Sequence, residues 1–252
     1  MDTLRIVEGE DRLHVELHRP AVRNAIDDVM AAELHEICAD LEQHPRILIL
    51  TGASTADKGV FASGADIRTL LERGRDQALR GHNARIFSRI AALPMPVIAA
   101  VDGYAIGGGA ELAYAADRRV ASDRAGFGTP EARLGILAAA GGSWPRPRVV
   151  GEPLAREILL AGRQLTAHEA LAAHLVTSVH APEDLAAAAS QIADRIAAQD
   201  PLAVQLTKRL LDAPREAHPL VDDLAQAILF ESDQKRERMT EFLDRSSRRE
   251  TR

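Results

Sequence analysis

The chain has a single cysteine, Cys38, among its 252 residues, so no internal disulfide can form and a reducing compartment, the cytoplasm, is expected. No apolar run approaches the roughly 20 residues that a membrane-spanning helix needs, because Asp102 and Glu111 interrupt the best candidate. An excess of positive charge is also lacking: 37 acidic residues against 31 basic ones give a net charge of −6. That balance argues against general nucleic-acid affinity and leaves any anionic ligand to local arginines. Internal repeats and low-complexity tracts are missing, apart from alanine-rich helical stretches. The start, Met1-Asp2-Thr3-Leu4-Arg5, has no basic segment followed by an apolar one, so a secretory signal is not expected.

What is present is the composition of a globular protein, 46% hydrophobic and 27% charged, long enough for one large core or a core with a helical appendage. Leu13 to Leu17 alternates like a half-buried strand, whereas 46–51 and Val97 to Val101 have the unbroken apolar character of strands buried on both faces. Between the first two, Met30, Leu34, Ile37 and Leu41 recur at helical spacing behind Asp27, a suitable cap. From about Pro182 onward only helices are expected, over 185–198, 201–212, 220–231 and 234–243, and the charged tail from Arg245 to Glu250 is expected to fray. The chain is therefore expected to be α/β, with a mixed core over 1–195 and a helical region over 196–252.

Chemistry is suggested first by Gly107-Gly108-Gly109, which follows the strand and turn of 97–106 and precedes Glu111. Consecutive glycines at a helix start leave backbone N–H groups open to a ligand oxygen. The run lacks the Gly-Lys-Ser/Thr ending of a phosphate loop, and the dinucleotide pattern fails because position 112 is Leu. Alone it suits a packing turn as well as a site. A second segment, Ala62-Ser63-Gly64-Ala65-Asp66-Ile67, again places small residues where the chain enters a helix, although a plain turn capped by Asp66 is the blander reading. One N–H from each segment could converge on a carbonyl oxygen as an oxyanion hole.

Glu131 then follows Pro130 at another helix start, giving two carboxylates suited to removing one proton and delivering another. In an apolar, water-poor pocket their repulsion and desolvation would raise at least one pKa, so an acid and a base could coexist near neutrality. Either glutamate could instead be a surface acid favoured by a helix dipole. His14 and His18 have no partners in ligand spacing, so no metal site is expected. Cys38 falls on the apolar side of its helix and is expected to be a small core residue, while Trp144 could line an acyl pocket or close a loop.

Taken in order, Phe61 to Ile67, Val101 to Glu111 and Phe127 to Gly135 resemble the enoyl-CoA hydratase/isomerase, or crotonase, superfamily. Arg19-Pro20 with Asn24-Ala25-Ile26, Leu160 to Thr166 with Glu169-Ala170, and Phe230 to Phe242 extend the resemblance over almost the whole chain. The resemblance implies a crotonase spiral of ββα units and a C-terminal helical region that assembles a homotrimer or a dimer of trimers. It implies hydration of a 2-enoyl-CoA, with Ala65 and Gly108 as oxyanion donors and Glu111 and Glu131 as base and acid, and with no cofactor beyond the coenzyme A of the substrate. Coenzyme A would lie along Ala62, Gly64, Asp66 and Ile67, and Arg23, Arg68 and Arg245 occupy or neighbour phosphate-contacting positions. An isomerase, another acyl-CoA enzyme, or a non-catalytic acyl-CoA-binding member stays open.

Two departures stand out. Where the family usually has Ile-x-Pro-Gly-Ala-Gly-Gly, this chain has Ile136-Leu137-Ala138-Ala139-Ala140-Gly141-Gly142, so Ala139 must offer its N–H beside the acyl pocket without glycine's freedom. His174 stands where a helix-ending glycine is usual and is expected to take a left-handed conformation at a small stability cost.

Overall fold

The structure is a computed structural model that describes residues 1–54, 58–142 and 149–250, with 245–250 described by backbone alone. Trp144 and the side chain of Arg245 therefore lie outside the described residues. The chain divides into two compact units, Met1–Asp194 and Arg195–Arg252.

The first unit is built on two sheets. The larger has the order β1 (Leu4–Glu8), β2 (Arg12–Leu17), β3 (Ile47–Gly52), β5 (Val97–Val101), β7 (Arg118–Ser122), β10 (Val179–His180). Its central strands carry the unbroken apolar runs, and all five residues of β5 are buried. β2 pairs antiparallel with β1 and parallel with β3, and alternates burial along its length as a strand with one covered face should. The smaller sheet has the order β4 (Val60–Ala62), β6 (Tyr104–Ile106), β8 (Gly126–Gly128), β9 (Leu165–Thr166).

The chain visits the two sheets in turn. β3, β5 and β7 are neighbours in the larger sheet, and the strands that follow them, β4, β6 and β8, are parallel neighbours in the smaller one. Each pair of strands then leads to helical structure: α2 (Ile67–Glu72), α3 (Arg75–Arg80) and α4 (His82–Ala91) after the first pair, α5 (Gly108–Tyr114) after the second, and a 3-10 turn, Glu131–Leu134, after the third. This is a stacked series of ββα turns, and three loops leave the same ends of three adjacent parallel strands.

α1 (Asp28–Gln43) starts where Asp27 accepts from Met30 N–H at 2.9 Å, and it buries Met30, Leu34, Ile37, Cys38 and Leu41. Cys38 is fully buried, and burial pushes its thiol up to about 12, which makes it inert packing. After α6 (Glu152–Ala161) and α7 (Ala167–Ala172), His174 does adopt φ 58. α8 (Leu185–Ala197) crosses the division between the units.

The second unit is helical: α9 (Pro201–Asp212), α10 (Leu220–Phe230) and α11 (Asp233–Glu250). The tail expected to fray continues α11 through Glu250, where arginine and glutamate, both good helix formers, flank Ser246 and Ser247. Leu220, Leu224 and Ile228 of α10 and Met239, Phe242 and Leu243 of α11 are exposed.

Candidate active site

The three loops that leave β4, β6 and β8 bring the sequence-predicted residues together. The first is fixed from outside by the 19–26 segment: Ile26 N–H donates to Gly64 O at 2.8 Å, Asp66 N–H to Ile26 O at 3.1 Å, and Ser63 N–H to Arg23 O at 3.0 Å. These bonds form a parallel bridge between Ile26 and Ala65 in which the N–H of Ala65 takes no part. Asn24 locks the same region. It is fully buried at φ 54, and its Nδ2 donates to Val60 O at 2.9 Å and to Ala53 O and Phe61 O at 3.2 Å, while its Oδ1 accepts from Arg19 N–H. Asp66 caps α2 by accepting from Arg68 N–H at 3.0 Å, so its carboxylate has a structural task.

In the second loop, Gly107 takes φ 56, a region where a side chain would be strained, and donates its N–H to Gly128 O at 2.8 Å. The chain then enters α5. Gly109 packs so closely that a Cβ there would stand 2.1 Å from Ala62 O. Gly108 is different: a Cβ there would stand 3.4 Å from Ala65 N and 3.5 Å from Asn83 Nδ2, and one on Gly64 would stand 3.5 Å from Gly108 N. The two N–H groups named from the sequence thus border one small space. Among the described residues neither Ala65 N–H nor Gly108 N–H donates to an acceptor.

Glu111 lies one turn into α5 and is buried. Its Oε1 accepts from Ala140 N–H and Gly142 N–H, each at 2.8 Å, which fixes the carboxyl against the 136–142 loop. At the far end of α5, the guanidinium of half-buried Arg119 donates to Ala113 O and Ala116 O as well as Leu175 O, a cation placed where the helix dipole is negative. Burial pushes Arg119 below its ordinary value, with Tyr114 and Asp117 opposing that effect. The third loop supplies Glu131 at the start of its 3-10 turn. Glu131 Oε1 lies 3.0 Å from the point where a Cβ on Gly107 would stand, so this carboxyl reaches back to the glycine run that leads into Glu111.

Such an arrangement can polarise a carbonyl from one flank and handle protons from the other. The sequence profile described as enoyl-CoA hydratase/isomerase matches residues 10–249, nearly the whole chain. The chain belongs to the enoyl-CoA hydratase/isomerase family. Among its relatives, the short-chain-enoyl-CoA hydratase of Clostridium acetobutylicum is 35% identical over 235 residues, covering 90% of this chain and 86% of that protein. The 2,3-dehydroadipyl-CoA hydratase of Escherichia coli is 35% identical over 249 residues, covering 95% of each. The crystal structure of an enoyl-CoA hydratase from Bacillus anthracis superimposes with a TM-score of 0.90 at 28% identity over 96% of each chain. That of Thermoplasma volcanium does so with a TM-score of 0.85 at 32% identity, over 95% of this chain and 96% of the other. The ββα spiral is therefore the crotonase fold.

Within this family member, the altered 136–142 loop meets Glu111 through its backbone. Ala139 is exposed and avoids positive φ, and the N–H groups that meet Glu111 belong to Ala140 and Gly142. Neither was foreseen, because the sequence reading of this loop rested on Ala139, and which N–H groups of a run of small residues turn toward Glu111 is set by the loop's conformation. Ala62 and Gly64 are buried in the first loop, whereas Arg23, Ile67 and Arg68 are exposed around it. Asn83, on α4, was also missed: it is remote in sequence from every motif and reaches Gly108 only through the packing of α4 on α5.

Proposed function

We propose that the protein adds water across the double bond of a 2-enoyl-CoA thioester, giving the 3-hydroxyacyl-CoA. The observation that carries this reading is the meeting of Ala65 N–H and Gly108 N–H, bare of acceptors among the described residues, beside a glycine run bordered by Glu111 and Glu131. A thioester oxygen accepting from both N–H groups would have its developing negative charge stabilised as electrons move from the C2–C3 double bond toward C1. One carboxylate takes a proton from water as its oxygen bonds to C3, and the other carboxyl gives a proton to C2. Water is added whole, the reaction is redox-neutral, and the N–H pair serves as the electrophile, so the proposal includes no cofactor.

Coenzyme A is proposed to follow the loop of Ala62, Gly64, Asp66 and Ile67, with Arg23 and Arg68 free in solvent to meet phosphates. Ala139 borders the acyl end on this reading. The exposed apolar side chains of α10 and α11 are the surface that a trimer, or a dimer of trimers, would cover, which light scattering after size exclusion would test. Among the described residues no helix is long and apolar enough to cross a membrane, and the proposed compartment is the cytoplasm.

The decisive assay follows loss of the conjugated thioester over a panel of 2-enoyl-CoA esters of increasing chain length, alongside 3-enoyl-CoA esters. Turnover of the 2-enoyl series to 3-hydroxy products is expected. Flat inactivity there with conversion of the 3-enoyl series would replace hydration by isomerisation, and inactivity on both with retained binding would leave an acyl-CoA-binding protein.

A further inference from the structure

Asn83 is a polar residue in an apolar register. α4 buries Ile86, Phe87 and Ile90, and Asn83 stands three and four residues before the first two, on the same face. An asparagine near a helix start ordinarily caps, but position 81 is the cap here, and the Asn83 carboxamide makes no hydrogen bond to another described residue. Its Nδ2 lies 3.5 Å from the point that a Gly108 side chain would fill, and Ala65 N lies 3.4 Å from that same point. Outside the chain around Gly108 the next heavy atom is Gly64 C at 3.8 Å, so the carboxamide oxygen stands farther off and the amide is the nearer end. Three nitrogens that carry hydrogen, those of Gly108 and Ala65 and the Asn83 side chain's, thus border one small space.

We infer that Asn83 is a catalytic residue whose Nδ2 donates a third hydrogen bond to the thioester oxygen. The inference deepens the thioester reading proposed above and rests on it. In that reading the oxygen comes to Ala65 N–H and Gly108 N–H, into the space that Asn83 Nδ2 also borders. When an oxygen taking up negative charge fills that space, only the NH2 end of a carboxamide can bond to it. A half-buried carboxamide covered by the ester without that bond would be left unsatisfied. An N–H donor bonds more strongly to an anionic oxygen than to a neutral carbonyl, so the contact tightens between the bound ester and its enolate and lowers the barrier more than it improves binding. No proton leaves Asn83, and the redox-neutral addition of water is unchanged by its part.

The test uses the best substrate of the 2-enoyl-CoA panel and the saturated ester of the same chain length, which has no double bond to hydrate, carrying carbon-13 at the thioester carbon. Infrared difference spectra of the bound saturated ester read hydrogen bonds to its carbonyl as a fall in stretching frequency. The wild-type band is expected below that of the free ester. Asn83→Leu is expected to return the band part of the way and to lower kcat about 10–100-fold, with KM and melting temperature little changed. Asn83→Ala, which adds no bulk, is expected to do the same. A band that stays at its wild-type frequency in both variants, whatever their kcat, or a kcat within about threefold of wild type in both, overturns the third donor while the thioester reading stands. A wild-type band no lower than that of the free ester, or a wild type that hydrates no ester of the panel, overturns both.

Discussion

Alanine at Gly108 should separate folding from function. At this position φ is not positive, and an added Cβ meets nothing nearer than 3.4 Å, so the methyl fits the empty protein in ordinary van der Waals contact. Replacing glycine by alanine near a helix start restricts the unfolded chain and should stabilise by roughly 0.5 kcal/mol, a rise in melting temperature of about 1–2 °C. The same methyl occupies space beside Ala65 N–H, where a thioester oxygen must come to about 2.9 Å of both donors. Displacing that oxygen from one donor corresponds to the loss of an oxyanion contact, about 10²–10³ in kcat. Gly109→Ala is the complementary control. Its Cβ would stand 2.1 Å from Ala62 O, 2.7 Å from Ala62 C and 2.8 Å from Ala62 Cβ, so α5 must move off β4. The overpacking should destabilise by about 1–3 kcal/mol, several degrees on the same melting curve. Thermal melts by circular dichroism and initial hydration rates on one 2-enoyl-CoA ester read both effects. If Gly108→Ala melts normally yet keeps a rate within about threefold of wild type, the placement of the oxyanion hole is wrong.

Other variants probe the remaining parts. Glu111→Gln keeps an oxygen for the Ala140 and Gly142 N–H groups, so it and Glu131→Gln should fold and bind thioester while hydration falls by at least about 10³, as single-turnover rates would show. Joint Arg23→Gln and Arg68→Gln substitution should raise KM with little change in kcat, and the wild-type KM should climb with salt where the double variant's does not. Asn24→Ala leaves the carbonyls of Ala53, Val60 and Phe61 without their donor and should destabilise by about 3 kcal/mol in urea titration. The Asp102 carboxyl is pushed up by burial, but hydrogen bonds from Arg124, Ser122 and Ser54 and the Arg124 charge outweigh that and hold it below its ordinary value. A depressed carboxyl stabilises the fold above its unfolded pKa and ceases to as pH falls. Asp102→Asn should therefore lose about 2 kcal/mol relative to wild type at pH 7, with the gap closing below about pH 4.

Much of the framework is legible from residue pattern because single forces dominate it. The runs in β3 and β5 are apolar on both faces, α1 has a periodic stripe behind a capping aspartate, and α8 to α10 carry their helical patterns with Asp200 capping α9. β7 is obscured by Arg118 and Arg119, the latter tolerable in a strand because backbone carbonyls receive its guanidinium. β4, β6 and β8 have three residues each, too few for any period to show. The site divides in the same way. Ala65, Gly108, Glu111 and Glu131 are visible as small residues and acids at helix starts, whereas which N–H groups of the 136–142 loop turn to Glu111 depends on the loop's conformation, and the approach of Asn83 to Gly108 on tertiary packing.

The order β4, β6, β8 in the smaller sheet has a consequence for how a substrate must lie. Neighbouring strands are spaced about 4.8 Å apart by their backbone hydrogen bonds. The strand that delivers Gly108 and Glu111 is the middle lane, with the Ala65 loop on one side and the Glu131 loop on the other. A reacting group that uses all three must therefore run across the strands, like a rung laid over rails, with its electron-accepting end toward β4 and its proton-exchanging end toward β8. The gauge of those rails is set by main-chain geometry, so side-chain changes within the strands can alter the site's lining while leaving its spacing intact.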